Sequence, residues 1–316
     1  MKKLVVFICL ALVVASCSKE VKIDIPGYKE QLVVDGKIET GSFPLVLLSK
    51  SANIYQPTDL GSYLQTFVQD AYVTVSNGVD TVQLELFTIS DLPIESQYQM
   101  AEMLGLEPDE VVLLPVKVYS TTNELMRGVV NQSYKLKIVE AGKTYEANTF
   151  LPPVTPLQSI YWKPDNVNPG YGKSRAVLAD PANQVDAYKW EVKRINLNAN
   201  NQPKDLIFKQ VSNAYFSDKF FNGLTFEFET ENPMRRKDST HLVEYKRYYR
   251  LGDSVVVKFS KMDFTTYNFF DKKFAQMSSA SSPFSTPVNV PTNLSGGALG
   301  IWAGYSPWYD TLYCQP

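Results

Sequence analysis

From residue 31 onward, short apolar runs alternate with polar turns at the spacing of a β protein. Gln31–Ile38 and Phe43–Ser49 are apolar runs separated by a Gly/Ser turn. Ala71–Ser76 alternates, and Asn77-Gly78 supplies a hairpin turn into Thr81–Phe87. Tyr134–Val139 alternates as well, and Ala141-Gly142-Lys143 turns it into Thr144–Thr149. Strands at this spacing over about 125 residues predict an immunoglobulin-like β-sandwich, placed at residues 28–151.

Pro152-Pro153-Val154-Thr155-Pro156 reads as an extended connector and predicts a domain boundary. A second β-rich part, 152–316, follows it. Its strands are read at Ser159–Trp162, Arg175–Asp180, Ala187–Ile195, Leu224–Phe228 and Asp253–Phe259. Along Ala187–Ile195, Tyr188, Trp190 and Val192 fall on one side and Lys189, Glu191 and Lys193 on the other, as in a half-buried strand. The simplest expectation for those charged outer faces is solvated sheet surface.

Two segments depart from the period of two. Ile94–Leu106 is rich in helix formers and closes near Gly105, which predicts a helical insertion between strands, more readily a packing element than a recognition one. Across Met262–Ala280, Phe264, Tyr267, Phe270, Phe274 and Met277 recur at steps of three and four. That spacing predicts an amphipathic C-terminal helix, 262–280, packed across a sheet, with Asp263 in its cap region. Gly296-Gly297 and Gly300 lack the strand, lysine and helix of a phosphate loop; they read as a tight turn into a final strand containing Ile301 and Trp302.

The first residues carry a different signal. Met1-Lys2-Lys3 is positive, Leu4–Val14 is an apolar run too short to span a bilayer comfortably, and Val14-Ala15-Ser16-Cys17 places small residues directly before a cysteine. This is the pattern of a bacterial lipoprotein signal: residues 1–16 are removed and Cys17 becomes the lipidated first residue. Residues 17–27 then form a tether reaching about 30 Å, at roughly 3.3–3.6 Å per residue. A second membrane span is not expected.

Loss of the signal takes Lys2 and Lys3, leaving 29 basic against 33 acidic residues, a net charge of −4. No basic footprint for nucleic acid is present. Once Cys9 is removed and Cys17 acylated, Cys314 stands alone, so an intramolecular disulfide is excluded. The single histidine, His241, rules out a multi-histidine zinc site and weakens any Ser-His-Asp scheme. Gly-x-Ser-x-Gly and His-Glu-x-x-His are absent. A two-carboxylate glycosidase stays open, because carboxylates pair in space rather than in sequence. Asp165 and Asp180 flank the loop Pro164–Gly172, a weak candidate for calcium. Tyr161, Trp162, Tyr171, Trp302 and Tyr305 are the candidates for an interaction surface, since aromatics serve both cores and recognition surfaces.

The chain also resembles the Bacteroidota lipoproteins of domain-of-unknown-function family 4249. The likeness runs through Cys17, Leu32-Val33-Val34-Asp35-Gly36, the Tyr134/Tyr145 hairpin, Asp180-Pro181, Phe221-Asn222-Gly223 and the helix with Tyr267 and Phe270. It is most specific at Pro283-Phe284-Ser285, Pro287, Asn293 and Gly296–Trp302. The Ile94–Leu106 insertion is not part of that pattern. The resemblance implies an outer-membrane lipoprotein often found beside TonB-dependent receptors, with no known reaction and no catalytic residues. The expectation is therefore a non-catalytic accessory or binding protein without cofactor, anchored by lipid at the outer membrane and surface-facing in preference to periplasm-facing. The alternatives are an envelope structural or assembly role and, behind it, a carboxylate-based glycan hydrolase.

Overall fold

The computed structural model describes residues 29–52, 59–233, 245–279 and 288–315. The signal, Cys17, His241 and the Pro283–Pro287 motif lie outside the described residues.

The chain is mainly β, with sandwich-like sheets and a C-terminal helix. Its backing layer is an eight-stranded sheet of β12 (Lys209–Ser217), β11 (Ala187–Arg194), β15 (Ser254–Met262), β16 (Leu299–Tyr313), β1 (Leu32–Glu39), β2 (Leu45–Lys50), β6 (Lys117–Ser120) and β5 (Glu85–Thr88), in that order. Two four-stranded sheets lie against one face of it. One runs β4 (Thr81–Gln83), β3 (Tyr72–Ser76), β7 (Gln132–Glu140), β8 (Lys143–Leu151). The other has β10 (Tyr171–Ala179) paired with β13 (Thr225–Thr230), β14 (Tyr249–Arg250) and β9 (Leu157–Pro164).

Each small sheet closes a core of its own. Val34, Ile38, Val46, Leu48, Val75, Tyr134, Leu136 and Trp302 belong to the first. Trp162, Leu178, Tyr188, Trp190, Val257, Phe259 and Leu312 belong to the second. Strand β16 serves both: it pairs parallel with β1 from Leu299 to Tyr305 and antiparallel with β15 from Tyr305 to Tyr313. Strands from before and after the Pro152–Pro156 connector thus share one sheet, and Gln31–Pro316 forms one compact unit. Where β1 and β16 meet, a Cβ on residue 36 would lie 2.8 Å from the Trp302 ring, so only glycine admits that indole.

The Thr81–Phe87 run is divided in a way its sequence does not announce. Thr81–Gln83 pairs with β3 in the small sheet, Leu84 is buried, and Glu85–Thr88 joins the large sheet. One extended run therefore crosses between layers, a common way to turn the corner of a sandwich.

The opposite face of the large sheet carries helices. The predicted insertion forms α2 (Ile94–Leu104), and Gly105 (φ 68) provides its left-handed stop. It follows a short first helix, α1 (Leu60–Gln65), and precedes α3 (Pro108–Val111). Met100, Ala101 and Val111 pack on Leu45, Leu47, Val116 and Val118. Towards the other end of the sheet lies α4 (Phe264–Ser279), whose first turn is capped by Asp263 accepting the Thr266 N–H at 2.7 Å. Its most buried aromatic is Phe269, against Met262, Ile301, Ala303 and Tyr305; Phe264, Phe274 and Met277 of the expected stripe stay exposed. No described helix is long and apolar enough to cross a membrane.

Candidate functional site

Between α2/α3 and α4 the outer face of the large sheet is left as a cavity of about 740 Å³. Its floor comes from alternation. In β1, Val34, Gly36 and Ile38 face the first core, so Asp35, Lys37 and Glu39 point the other way. In β11, Tyr188, Trp190 and Val192 face the second core, leaving Lys189 and Glu191 on the cavity side. Ala303 and Tyr305 of β16 lie between them, Met103 and Leu104 of α2 form one wall, and Phe270 and Phe274 of α4 form the other.

This corrects the expectation of a solvated outer face. The side chains of Glu191, Lys258 and Glu39 are 2%, 3% and 5% exposed. They persist there through mutual pairing, as buried charges require. Glu39 accepts from Lys258 at 2.8 Å and from Lys37 at 3.4 Å. Glu102 reaches down from α2 to within 3.7 Å of Lys258 and 3.9 Å of Lys37, and also accepts the Phe208 N–H at 3.2 Å. Lys189 pairs with Glu191 at 2.8 Å and lies over the Tyr215 and Tyr305 rings.

The field divides the carboxyls. Burial opposes charge on Glu39, but Lys258 and Lys37 outweigh it and hold that carboxyl far below its usual range. Burial also dominates at Asp35, where Lys273, Lys37 and Lys189 offset it only in part, so its carboxyl is raised. Lys258 and Lys189 are pushed up, since Glu39, Glu102 and Glu191 for the one and Glu191 for the other exceed the cost of burial. Carboxyls displaced in opposite directions are found in functional sites and in structural ion-pair networks alike. Tyr215 stacks on Phe270 with centroids 4.6 Å apart and is tilted against Phe274 at 5.5 Å, which supplies an aromatic wall beside the charges.

The sequence candidates do not share one surface. Tyr161 is exposed; Trp162 and Trp302 are core residues, and the Trp302 indole donates to the Tyr134 carbonyl at 3.0 Å. Tyr171 is half-buried, stacked on Tyr245. Tyr305 alone of the five lines the cavity. Asp35, Lys37 and Glu39 were missed as site residues; their period-two spacing on β1 was visible, but nothing local says that helices cover that face. Glu102 makes the insertion part of the site.

Asp165 and Asp180 lie at opposite ends of β10, roughly 30 Å of strand apart. Asp165 accepts the Val167 and Asn168 N–H groups in its own turn. Asp180 instead meets Asp186 and Asp218, with one oxygen of each within 4.8 Å of the others. Carboxylates so placed suit a hard cation, but the Lys261 ammonium already occupies that role at 2.7 Å from Asp186, and Tyr188 donates to Asp180 at 2.7 Å. Cys314 is fully buried, and burial, then Asp253, pushes its thiol up to about 12, which suits a packing residue rather than a nucleophile.

No curated protein and no solved structure matches this chain significantly. The family model for a domain of unknown function (DUF4249) matches residues 18–307, nearly the whole chain, and the protein belongs to that family.

Proposed function

We propose that this protein is a non-catalytic ligand-binding lipoprotein, held at the outer membrane by acyl chains on Cys17 and working beside a TonB-dependent receptor. The observation that carries the binding reading is the cavity: roughly 300–1,000 Å³ is the usual range for ligand sites, and about 740 Å³ remains open here over buried charges. A fold with no use for this space would fill it or replace its charges with apolar side chains. Val14-Ala15-Ser16-Cys17 and the short tether support the anchoring, and the surface-facing leaflet is preferred.

A carboxylate hydrolase is the reading to weigh against it, because Asp35 is raised and Glu39 lowered. Four residues of strand separate them, roughly 13 Å at 3.3 Å per residue. Glycosidase pairs stand about 5–9.5 Å apart, so this pair favours binding over catalysis.

Affinity capture of the detergent-solubilised protein from its native membrane tests the partnership. Recovery of a TonB-dependent barrel is expected; recovery of envelope assembly factors alone favours the structural alternative. Labelling with an alkyne fatty acid tests the anchor, and a Cys17→Ala protein that still incorporates label refutes it. Protease treatment of intact cells reads the leaflet, with degradation expected. Hydrolysis of a glycan panel that Asp35→Asn or Glu39→Gln abolishes would overturn the non-catalytic reading.

A further inference from the structure

Outside its ion pairs the cavity keeps two charged groups that face each other without touching. The acids that line it are Asp35, Glu39, Glu102, Glu107, Glu110 and Glu191, and the lysines are Lys37, Lys189, Lys209 and Lys273. Most are answered within the fold. Glu39, Glu102 and Glu191 meet Lys37, Lys189 and the floor residue Lys258. Lys209 is on Asp205, and Glu107 and Glu110 cap α3. Asp35 and Lys273 have neither a hydrogen bond nor an ion pair among the described residues.

Their proximity follows from the strand register. Asp35 is opposite Ile301, and Ile301 packs with Phe269 of α4. Lys273 lies over the Phe269 and Phe270 rings at 5.8 and 5.7 Å. It is accordingly the first of the lysines whose field reaches Asp35, ahead of Lys37 and Lys189, yet burial outweighs all three. A half-buried carboxylate that opens on the cavity is therefore incompletely compensated, a cost that a bound group can relieve.

The charge of that group follows. A cation beside Asp35 would be opposed by Lys273, Lys37 and Lys189. An anion beside Lys273 would be opposed by Asp35, in a lining where carboxylates outnumber lysines. A neutral group avoids both oppositions if it donates to the one and accepts from the other, as a hydroxyl or a primary amide does. The walls to either side are Met103 and Leu104 of α2 and Phe270, Phe274 and Met277 of α4. Phe270 is already stacked on Tyr215 and covered by Lys273, so these walls suit an alkyl or aryl body better than a polyol, which needs a free ring face.

We propose that the cavity binds an uncharged, mainly apolar molecule through one hydroxyl or primary amide seated between Asp35 and Lys273. This rests on the reading of the cavity as a ligand site.

Ligand-observed NMR titration of the intact protein at neutral pH tests the assignment with four compounds of one body: phenylbutanol, phenylbutanamide, phenylbutylamine and phenylbutanoate. The alcohol and the amide are expected to bind, and each ion about tenfold more weakly, the scale of one modest charge opposition. Asp35→Asn should bring the carboxylate up to the alcohol, and Lys273→Gln should do the same for the amine. Neither substitution removes an ion pair among the described residues, so both variants should fold. An ion that binds the wild type best, or affinities that ignore both substitutions, overturns the proposal. So does a failure of all four compounds to bind. A wider fragment set then separates the two readings: binding weakened by Met103→Trp, which narrows the cavity, leaves a ligand site with another occupant, and no binding at all removes both.

Discussion

The two faces of the eight-stranded sheet use the same strands to opposite ends. On the inner face, β1, β11, β15 and β16 supply Val34, Trp190, Phe259 and Trp302, all at most 1% exposed and packed into two apolar cores. On the outer face, the same four strands supply Asp35, Glu191, Lys258 and Tyr305. Both faces are covered, so solvent contact does not explain the difference. The inner face is optimised for burial, whereas the outer face keeps ion pairs and an open volume where apolar packing would be at least as stable. Apolar packing gives way to ion pairs on one side only, and that side holds the cavity.

Substitutions on each face sharpen the contrast. The largest effect is expected on the inner face: Trp302→Ala should cost roughly 3–5 kcal/mol, because it empties the junction over Gly36 and leaves the Tyr134 carbonyl without its indole donor. Urea unfolding reads this as a lower midpoint; an unchanged midpoint would mean that the two cores are not joined through β16. Next comes Glu39→Gln, which strands Lys258 in the network and should cost about 3 kcal/mol. Its pH signature is specific. A carboxyl lowered in the fold contributes stability that is complete above its ordinary value of 4.5, and that stability is lost as pH falls below this value towards the folded one. Removing Glu39 should therefore flatten the acid limb of the melting curve.

Asp35→Asn should act in the opposite direction. Because burial raises this carboxyl against Lys273 on α4, Lys37 on β1 and Lys189 on β11, wild-type stability falls as pH rises from 3.8 through the raised value. The variant should match the wild type below that window and melt higher above it. A lower melting temperature at neutral pH would show Asp35 to be a structural ion-pair partner and erase the distinction between the faces. The smallest effect is Asp263→Ala, about 1 kcal/mol for a lost helix cap, read as a small drop in melting temperature. Because Asp263 also accepts from Thr149 and the Phe150 N–H, that drop should exceed what Ser278→Ala causes near the helix end.

Much of the strand and helix pattern was legible. Alternation located the Tyr134 hairpin and the Tyr188 strand, and a glycine turn located the final strand; helix-forming composition located α2, and periodicity located α4. The site was less so, for a physical reason. Alternation states which residues share a face but is silent on what covers it, and the coverings of Asp35 come from α2, some sixty residues along, and from α4, far beyond it. Likewise the aromatic spacing of α4 identified an amphipathic helix, yet Phe269, between the expected stripe positions, is the residue the sheet buries. Five tyrosines and tryptophans drew attention by type; burial then assigned two of them to cores, since large aromatics serve interiors as readily as surfaces.

The pairing of β1 with β16 also sets a schedule. Val33 meets Leu299, 266 positions further along the chain, a closure that local contacts cannot anticipate and that makes the central sheet slow to assemble. A chain emerging amino end first exposes β1, with one edge unpaired, throughout nearly all of its delivery. The cavity floor, half of it on β1 and half beyond β16, comes into being only when the last strand arrives. The cavity is thus the final product of folding, and a chain clipped before residue 299 lacks the strand that joins the two halves of its floor.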